Sequence, residues 1–334
     1  MRSPERVLVT VIGPQDNVES RIMNHIAHAL GEAKVSHDVF RTTKILDMRF
    51  CKQMAQCDIL LLPSPLLLTF FYALMARYWY RKPIVGIAWD SYPVTLDGTR
   101  YNPSFRRQIF DWIENKVIKL CKQILVPSAD FLEEHKFADA CVVRLWHPVD
   151  KPLSHSKHED KNLSGPLKVI FAGQINATRG LGAAVARLSK VTGGNFHLKV
   201  ASNNPLPEDL IGNPKVEHIG YLDRAALHQV AAECDCGLVA LAKNFDGPGL
   251  PSKTFEYLKM GLPCLYYGKR LQYYLNVLEQ SGAGTDIGSH DLQNLDRGEI
   301  LYLKQNIAVA AVKFSNAFEL DPPALIAILA KMRA

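Results

Sequence analysis

Pro251-Ser252-Lys253-Thr254-Phe255-Glu256-Tyr257-Leu258-Lys259-Met260-Gly261-Leu262-Pro263 is the stretch on which the fold turns. Ser252 reads as an N-cap, Gly261 as a C-terminal stop, and Pro263 opens the next extended run, so a short helix is predicted. Upstream lie the turn Asp246-Gly247-Pro248-Gly249 and the apolar run Gly237–Leu241; downstream lies a second apolar run, Pro263–Tyr267. Short continuous apolar strands alternating with helices call for a parallel sheet covered on both faces.

The alternation extends outward through the second half. Strands are predicted at Leu167–Ala172, Phe196–Ala201 and Val216–Ile219, and late helices at about Glu299–Phe318 and Pro322–Met332. The first half repeats the plan. Arg6–Ile12 is a β-branched run, and Asp16-x-x-Glu19 reads as a capping box for a helix with Ile22, Ile26 and Leu30 on one face and Gly31 past its end. Further apolar runs stand at Ile59–Leu62, Ile84–Ala88, Ile124–Val126 and Cys141–Leu145, with helical patterning over Phe105–Cys121. Asp150–Pro166 is polar, charged and bracketed by proline, which makes it a linker. The expectation is α/β: two doubly wound, Rossmann-like domains, 1–150 and 167–334, joined by 151–166 across a cleft, the last helix packing back on the first domain. Ligands of such sheets bind at the carboxyl ends of the strands.

Composition agrees with that plan. The chain has 334 residues, 48% apolar and 22% charged, enough for two cores and too apolar for disorder. A net charge of +6 suits anionic ligands or an acidic membrane surface; no run of five or six basic residues points to nucleic acid. Seven scattered cysteines, an odd number, read as reduced thiols in a cytoplasmic setting, and no signal peptide precedes the first strand. Ile59–Tyr80 is very apolar, but Pro63, Pro65 and Arg77 break it below the ~20 residues a membrane span needs. Its end, Arg77-Tyr78-Trp79-Tyr80-Arg81-Lys82, is also compatible with contact at a lipid interface.

Two loops carry candidate chemistry. The start of the helix capped by Ser252 follows a Gly-rich turn, and its free amides and positive dipole end form an anion site, to which Lys253 adds a mobile charge. Glu256, one turn in, suits the paired hydroxyls of a ribose. The same residues would equally serve an ordinary capped helix with Glu256 on a solvated face. The second loop, Gly173-Gln174-Ile175-Asn176-Ala177-Thr178-Arg179-Gly180, follows strand 167–172; glycine there allows close approach, and Arg179 can grip a phosphate.

Together these residues resemble the retaining GT-B-fold glycosyltransferases, specifically the family 4-like enzymes of bacterial surface-polysaccharide assembly. Gly173-Gln174 with Arg179-Gly180 is similar to the family's phosphate turn, and 251–263 to its helix signature. His218-Ile219-Gly220-Tyr221-Leu222 resembles the stretch beside the base, Ile87-Ala88-Trp89-Asp90 the strand end near the reaction centre, and Leu125–Ser128 and Trp146–Asp150 the last elements of the first domain. Gln174 stands where the family has a basic ligand, Pro248 where it has the first of two glutamates, and Trp89 where it has histidine.

The resemblance implies transfer of a sugar from a nucleoside-diphosphate donor to a glycan or lipid-linked acceptor with retention. It proceeds without cofactor or metal, in the cytoplasm or peripherally at the inner face of the membrane. It places Gly173, Gln174, Arg179, Gly220, Tyr221, Gly249, Ser252, Lys253, Thr254 and Glu256 at the donor. It places Asp90, Arg179 and Lys253 at the catalytic centre, and Gly13 with Asp90 near the acceptor. The three departures also suit a second reading, an inactive nucleotide-sugar-binding subunit of a glycan-assembly complex. A dehydrogenase is disfavoured, since no G-x-G-x-x-G follows the first strand.

Overall fold

The computed structural model describes residues 6–12, 18–44, 47–63, 69–89, 105–145, 165–176, 178–245 and 249–332. The first set of elements is β1 (Val7–Ile12), α1 (Val18–Glu32), β2 (His37–Thr42), α2 (Arg49–Gln56), β3 (Ile59–Pro63) and α3 (Phe70–Leu74), which continues in a π-helical turn, Met75–Trp79. There follow β4 (Ile84–Ile87), α4 (Phe105–Leu120), β5 (Gln123–Val126) and β6 (Cys141–Val142). The second set opens with β7 (Leu167–Ala172), α5 (Leu181–Val191), β8 (Phe196–Ala201), β9 (Val216–Gly220), α6 (Arg224–Ala232) and β10 (Cys236–Ala240). It ends with α7 (Ser252–Lys259), β11 (Cys264–Tyr267), α8 (Gln272–Ser281), β12 (Gly284–Asp286), α9 (Arg297–Gln305), α10 (Ile307–Asn316) and α11 (Pro322–Lys331).

Each set forms a six-stranded parallel sheet, ordered β2-β1-β3-β4-β5-β6 and β12-β11-β10-β7-β8-β9. Strands β3 and β10 are buried at every position, as helices on both faces require. Ile22, Ile26 and Leu30 line the buried face of α1. In the second sheet the winding reverses between β7 and β10. Connections leaving those neighbours go to opposite faces, which opens a crevice at their carboxyl ends. The corresponding point of the first sheet is between β1 and β3.

Several elements differ from the sequence expectation, for local reasons. Strand β2 (HDVFRT) has no apolar run because it is an edge strand, paired on one side only, and its Asp38 is spent on an ion pair with Arg6. Strand β12 opens in Gly282-Ala283-Gly284, where no strand is predicted. Gly282 ends α8 at φ +75°, and a side chain at Gly284 would lie 2.1 Å from the Cys264 carbonyl oxygen, so the glycines serve a close strand pairing. Helix α1 runs one residue beyond Gly31, and the strand expected over Cys141–Leu145 shortens to Cys141–Val142. The long helix expected over Glu299–Phe318 breaks at Asn306, and α9 starts instead from a capping box of Asp296 and Glu299. The Asp16 capping box and 150–164 of the linker lie outside the described residues. All seven cysteines are unpaired, and burial pushes the Cys57 and Cys234 thiols up to about 11, so they stay protonated.

The two domains are joined by polar contacts as well as by chain. Asp130, in a 3-10 turn of the first domain, accepts the amides of Tyr273 (2.8 Å) and Tyr274 (3.0 Å), and so caps α8 of the second domain from across the boundary. Glu134 pairs with Lys269 at 2.8 Å, and Arg144 with Asp321 at 2.9 Å. Helix α11 lies against α1, and Lys122 Nζ donates to the Met332 carbonyl at 3.0 Å.

Candidate donor site

Strand β7 is buried except at Lys168 and leaves the sheet through Gly173, whose φ of +153° favours glycine. The turn that follows is braced by Asn176, whose side chain accepts from the Thr178 amide (3.1 Å) and hydroxyl (2.6 Å). Thr178 then accepts from Ala242 N at 2.8 Å, and Gly180, at φ +58°, sits where a side chain would be 3.1 Å from Ala242 Cα. The exits of β7 and β10 are therefore stitched together, which fixes the mouth of the crevice.

Helix α7 is fastened to the same two strands. Tyr257, wholly buried, accepts the Ala172 amide at 2.8 Å and lays its ring against Gly237 of β10, where an added Cβ would be 2.4 Å from it. This tyrosine sets how far the helix start stands from the Gly173 turn. Gly237→Ala is expected to overpack the contact and destabilise the chain by about 1–3 kcal/mol, read as a lower Tm in thermal unfolding.

Ser252 is the first helical residue and not the N-cap. The cap position is Pro251, and among the described residues no side chain caps the end. Proline pre-sets the backbone and carries no donor, so the amides of Ser252 and Lys253 are left to whatever fills the crevice. Thr254, expected at the donor, is a core residue. Its hydroxyl is 2.5 Å from the Tyr274 hydroxyl and its amide donates to Pro251 O at 3.1 Å, because the third position of the helix faces inward.

A cavity of about 320 Å³ occupies the switch point. Gly173, Gln174 and Arg179 line it from the β7 turn, Gly249, Ser252 and Lys253 from the α7 side, and Trp89 from the end of β4 in the first domain. The Lys253 side chain crosses Gly173, its Cε 3.6 Å from where a Cβ would stand. Water reaches Lys253 through the mouth, yet the walls crowd it, and this desolvation chiefly lowers its pKa; Glu256 opposes the shift, and Arg179 and Arg21 add to it. Cations gathered at mutual cost favour an anion among them. Trp89 is only 7% exposed, and its indole N–H meets no acceptor among the described residues.

Glu256 lies just outside the cavity, its carboxylate 3.6 Å from Arg21 of α1 and 3.7 Å from Arg224 at the start of α6. Sequence reading missed both arginines. Each is a lone cation on an amphipathic helix, and only the domain packing brings them together. Gly220 and Tyr221 stand at the exit of the edge strand β9, apart from the cavity lining; Tyr221 is 70% exposed, and Arg224 opens α6 three residues on. Gly13, Asp90, Ala177 and 246–248, with Pro248, lie outside the described residues. Among the described residues no group of three His, Cys, Asp or Glu converges as a metal site, and no helix is long and apolar enough to cross a membrane.

No family model and no curated protein matches this chain by sequence. Solved structures do match in shape. HepE of Anabaena in complex with UDP superimposes with a TM-score of 0.57 at 12% identity, over 98% of each chain. A glycosyltransferase from Rickettsia africae gives a TM-score of 0.56 at 13% identity, over 99% of each chain. The lipopolysaccharide outer core galactosyltransferase WaaB gives 0.53 at 12% identity, over 93% of this chain and 98% of that one. The fold is thus GT-B, two Rossmann-like domains facing a cleft.

Proposed function

We propose that this chain is a glycosyltransferase that moves a sugar from a nucleoside diphosphate to a hydroxyl of a glycan or lipid-linked acceptor, with retention of configuration. One observation carries the reading: the glycine turn after β7 and the uncapped start of α7 meet on a single cavity at the switch point, with Arg179 and Lys253 on its wall. Neighbours of the same fold have been solved with UDP and with UDP-glucose, which supports it.

In this reading the diphosphate gathers negative charge as the anomeric bond breaks. Arg179, Lys253 and the Ser252 and Lys253 amides stabilise that charge in place, without reorganisation. Gln174 contributes amide donors in place of a charge, and Arg21 brings a cation from the opposite domain to the same region. The Trp89 N–H serves a sugar or acceptor oxygen. Glu256 accepts from the ribose hydroxyls, with Gly220 and Tyr221 beside the base, and Asp90 and Gly13 take the acceptor. The chain's own cations do the work of a metal, so transfer is expected to survive EDTA; loss of activity in the chelator would put a metal on the diphosphate.

Calorimetry with a panel of nucleoside diphosphates tests the donor assignment. One base is expected to bind, and Glu256→Ala to weaken it by about tenfold, the worth of charge-assisted hydrogen bonds. Unchanged affinity would remove the ribose role. A second reading, a binding subunit without turnover, is favoured by Gln174 and Trp89 on the cavity wall, neither of which carries a charge or a titratable group. Tight binding with neither transfer nor donor hydrolysis would establish it.

A further inference from the structure

Helix α4 carries a second apolar stripe, on the side away from the core. Its inward face holds Arg107, Glu114 and Val117. Outward stand Phe105 (76% exposed), Ile109 (40%) and Trp112 (57%), followed on the same helical stripe by Lys116 and Lys119. Lys116 Nζ lies 5.5 Å from the centre of the Trp112 ring. Beside α4 runs α3 with its π-helical turn, which buries Tyr72, Ala73 and Ala76 and presents Phe71, Tyr78 and Trp79, the last 78% exposed. The two helices contact each other over one face of the first sheet, so their outer faces form a continuous surface.

That surface is basic as well as aromatic. Arg77, Arg81 and Lys82 lie in or just past the π-helical turn and Arg106, Lys116 and Lys119 on α4, all but Lys82 exposed, and 69–82 contains no acidic residue. The two acids of α4 are engaged, Asp111 with Arg107 at 3.6 Å and Glu114 with Lys136 at 2.5 Å. Arg81, at φ +51°, ends the π-helical turn abruptly and leaves Trp79 at its tip. Among the described residues of this face the exposed charge is mostly positive, Asp111 being paired with Arg107. Bilayer interfaces suit such a face, since tryptophan and tyrosine sit at the headgroup level while long basic chains reach anionic phosphates.

We infer that the outer face of α3 and α4 docks on an anionic lipid bilayer. The two helices follow β3 and β4, so Phe71 and Phe105 begin at the carboxyl edge of the sheet, the edge that carries Trp89 and the cavity. An acceptor held in the bilayer then approaches the cleft along this edge. The inference deepens the transferase reading, on which it rests for the nature of the acceptor.

The test is sedimentation of the full chain with vesicles, in the absence of any nucleotide. Vesicles of equimolar phosphatidylglycerol and phosphatidylcholine are expected to carry the protein down, salt to weaken the binding, and pure phosphatidylcholine to leave it in solution. Replacing Arg77, Arg81 and Lys82 together by glutamine is expected to cut partitioning by about a hundredfold. Trp79→Ser and Trp112→Ser should each weaken binding and remove part of the blue shift in tryptophan emission. Nucleoside-diphosphate affinity of these variants, expected to match the parent, reports that they fold. Equal binding to both vesicle types, indifference to the substitutions, or self-association that buries Trp112 without lipid would overturn the inference. Lipid binding is read without donor, so its failure leaves the transferase reading standing, and a chain that binds vesicles but no nucleotide would overturn that reading alone.

Discussion

Lys253→Met is expected to slow sugar transfer by about 10²–10³-fold, equivalent to about 2–4 kcal/mol of barrier, with the fold retained. The effect is expected to be large because the proposed reaction develops its charge beside this ammonium. It crosses Gly173 at the exit of β7 and lines the same cavity as Arg179 and Ser252. Crowding by the cavity walls, with Arg179 and Arg21 near, lowers its pKa, so an anion beside it would favour the charged form. Methionine fills similar volume and removes only the charge, and Lys253→Arg should restore part of the rate. The check is the initial rate of nucleoside-diphosphate release with donor and acceptor saturating, alongside thermal unfolding. A variant that retains the parent rate would remove Lys253 from the reaction and weaken the case for the diphosphate at this end of α7.

Arg297→Met is expected to do the reverse, costing about 3–5 kcal/mol of stability while leaving nucleotide affinity untouched wherever the variant remains folded. Arg297 and Asp235 are 5% and 4% exposed. The guanidinium donates to the carboxylate at 2.8 and 3.2 Å, and the carboxylate also takes the Lys168 amide at 2.8 Å. Removing the arginine strands a charge that has no access to water. The pair sits at the starts of β7 and β10, the end of the sheet remote from the cavity. Asp235→Asn in the same chain should recover most of the loss, because asparagine keeps an acceptor for Lys168 without the charge. Urea titration of the single and double variants measures this. A cost below about 1 kcal/mol for the single variant would show that the pair is hydrated.

Much of this was legible one residue at a time. Strands β7 and β8 agree with their predicted bounds, β7 because it is apolar at all but Lys168 and β8 because Phe196, Leu198 and Val200 alternate with His197 and Lys199. Edges were harder: β2 mixes charge with apolar residues, and β12 is three residues long. The 251–263 stretch announced its helix, yet two of its members changed roles. Ser252 moved inside the helix because Pro251 takes the cap, and Thr254 turned into the core toward Tyr274. Tyr257, quoted in the motif without a task, is what holds α7 to β7 and β10.

The linear order of residues was enough to establish two rounds of strand–helix alternation, the glycine turn and the helix start, since hydrophobic period and turn chemistry are properties of neighbours in the chain. Only the tertiary structure decided that Arg179 and Lys253 face one cavity, that Trp89 closes it from the other domain, and that Glu256 lies between Arg21 and Arg224. Those residues are separated by tens to hundreds of positions. Their meeting depends on sheet order and domain packing, which arise from the summed burial of many apolar side chains and leave no local mark on any one of them.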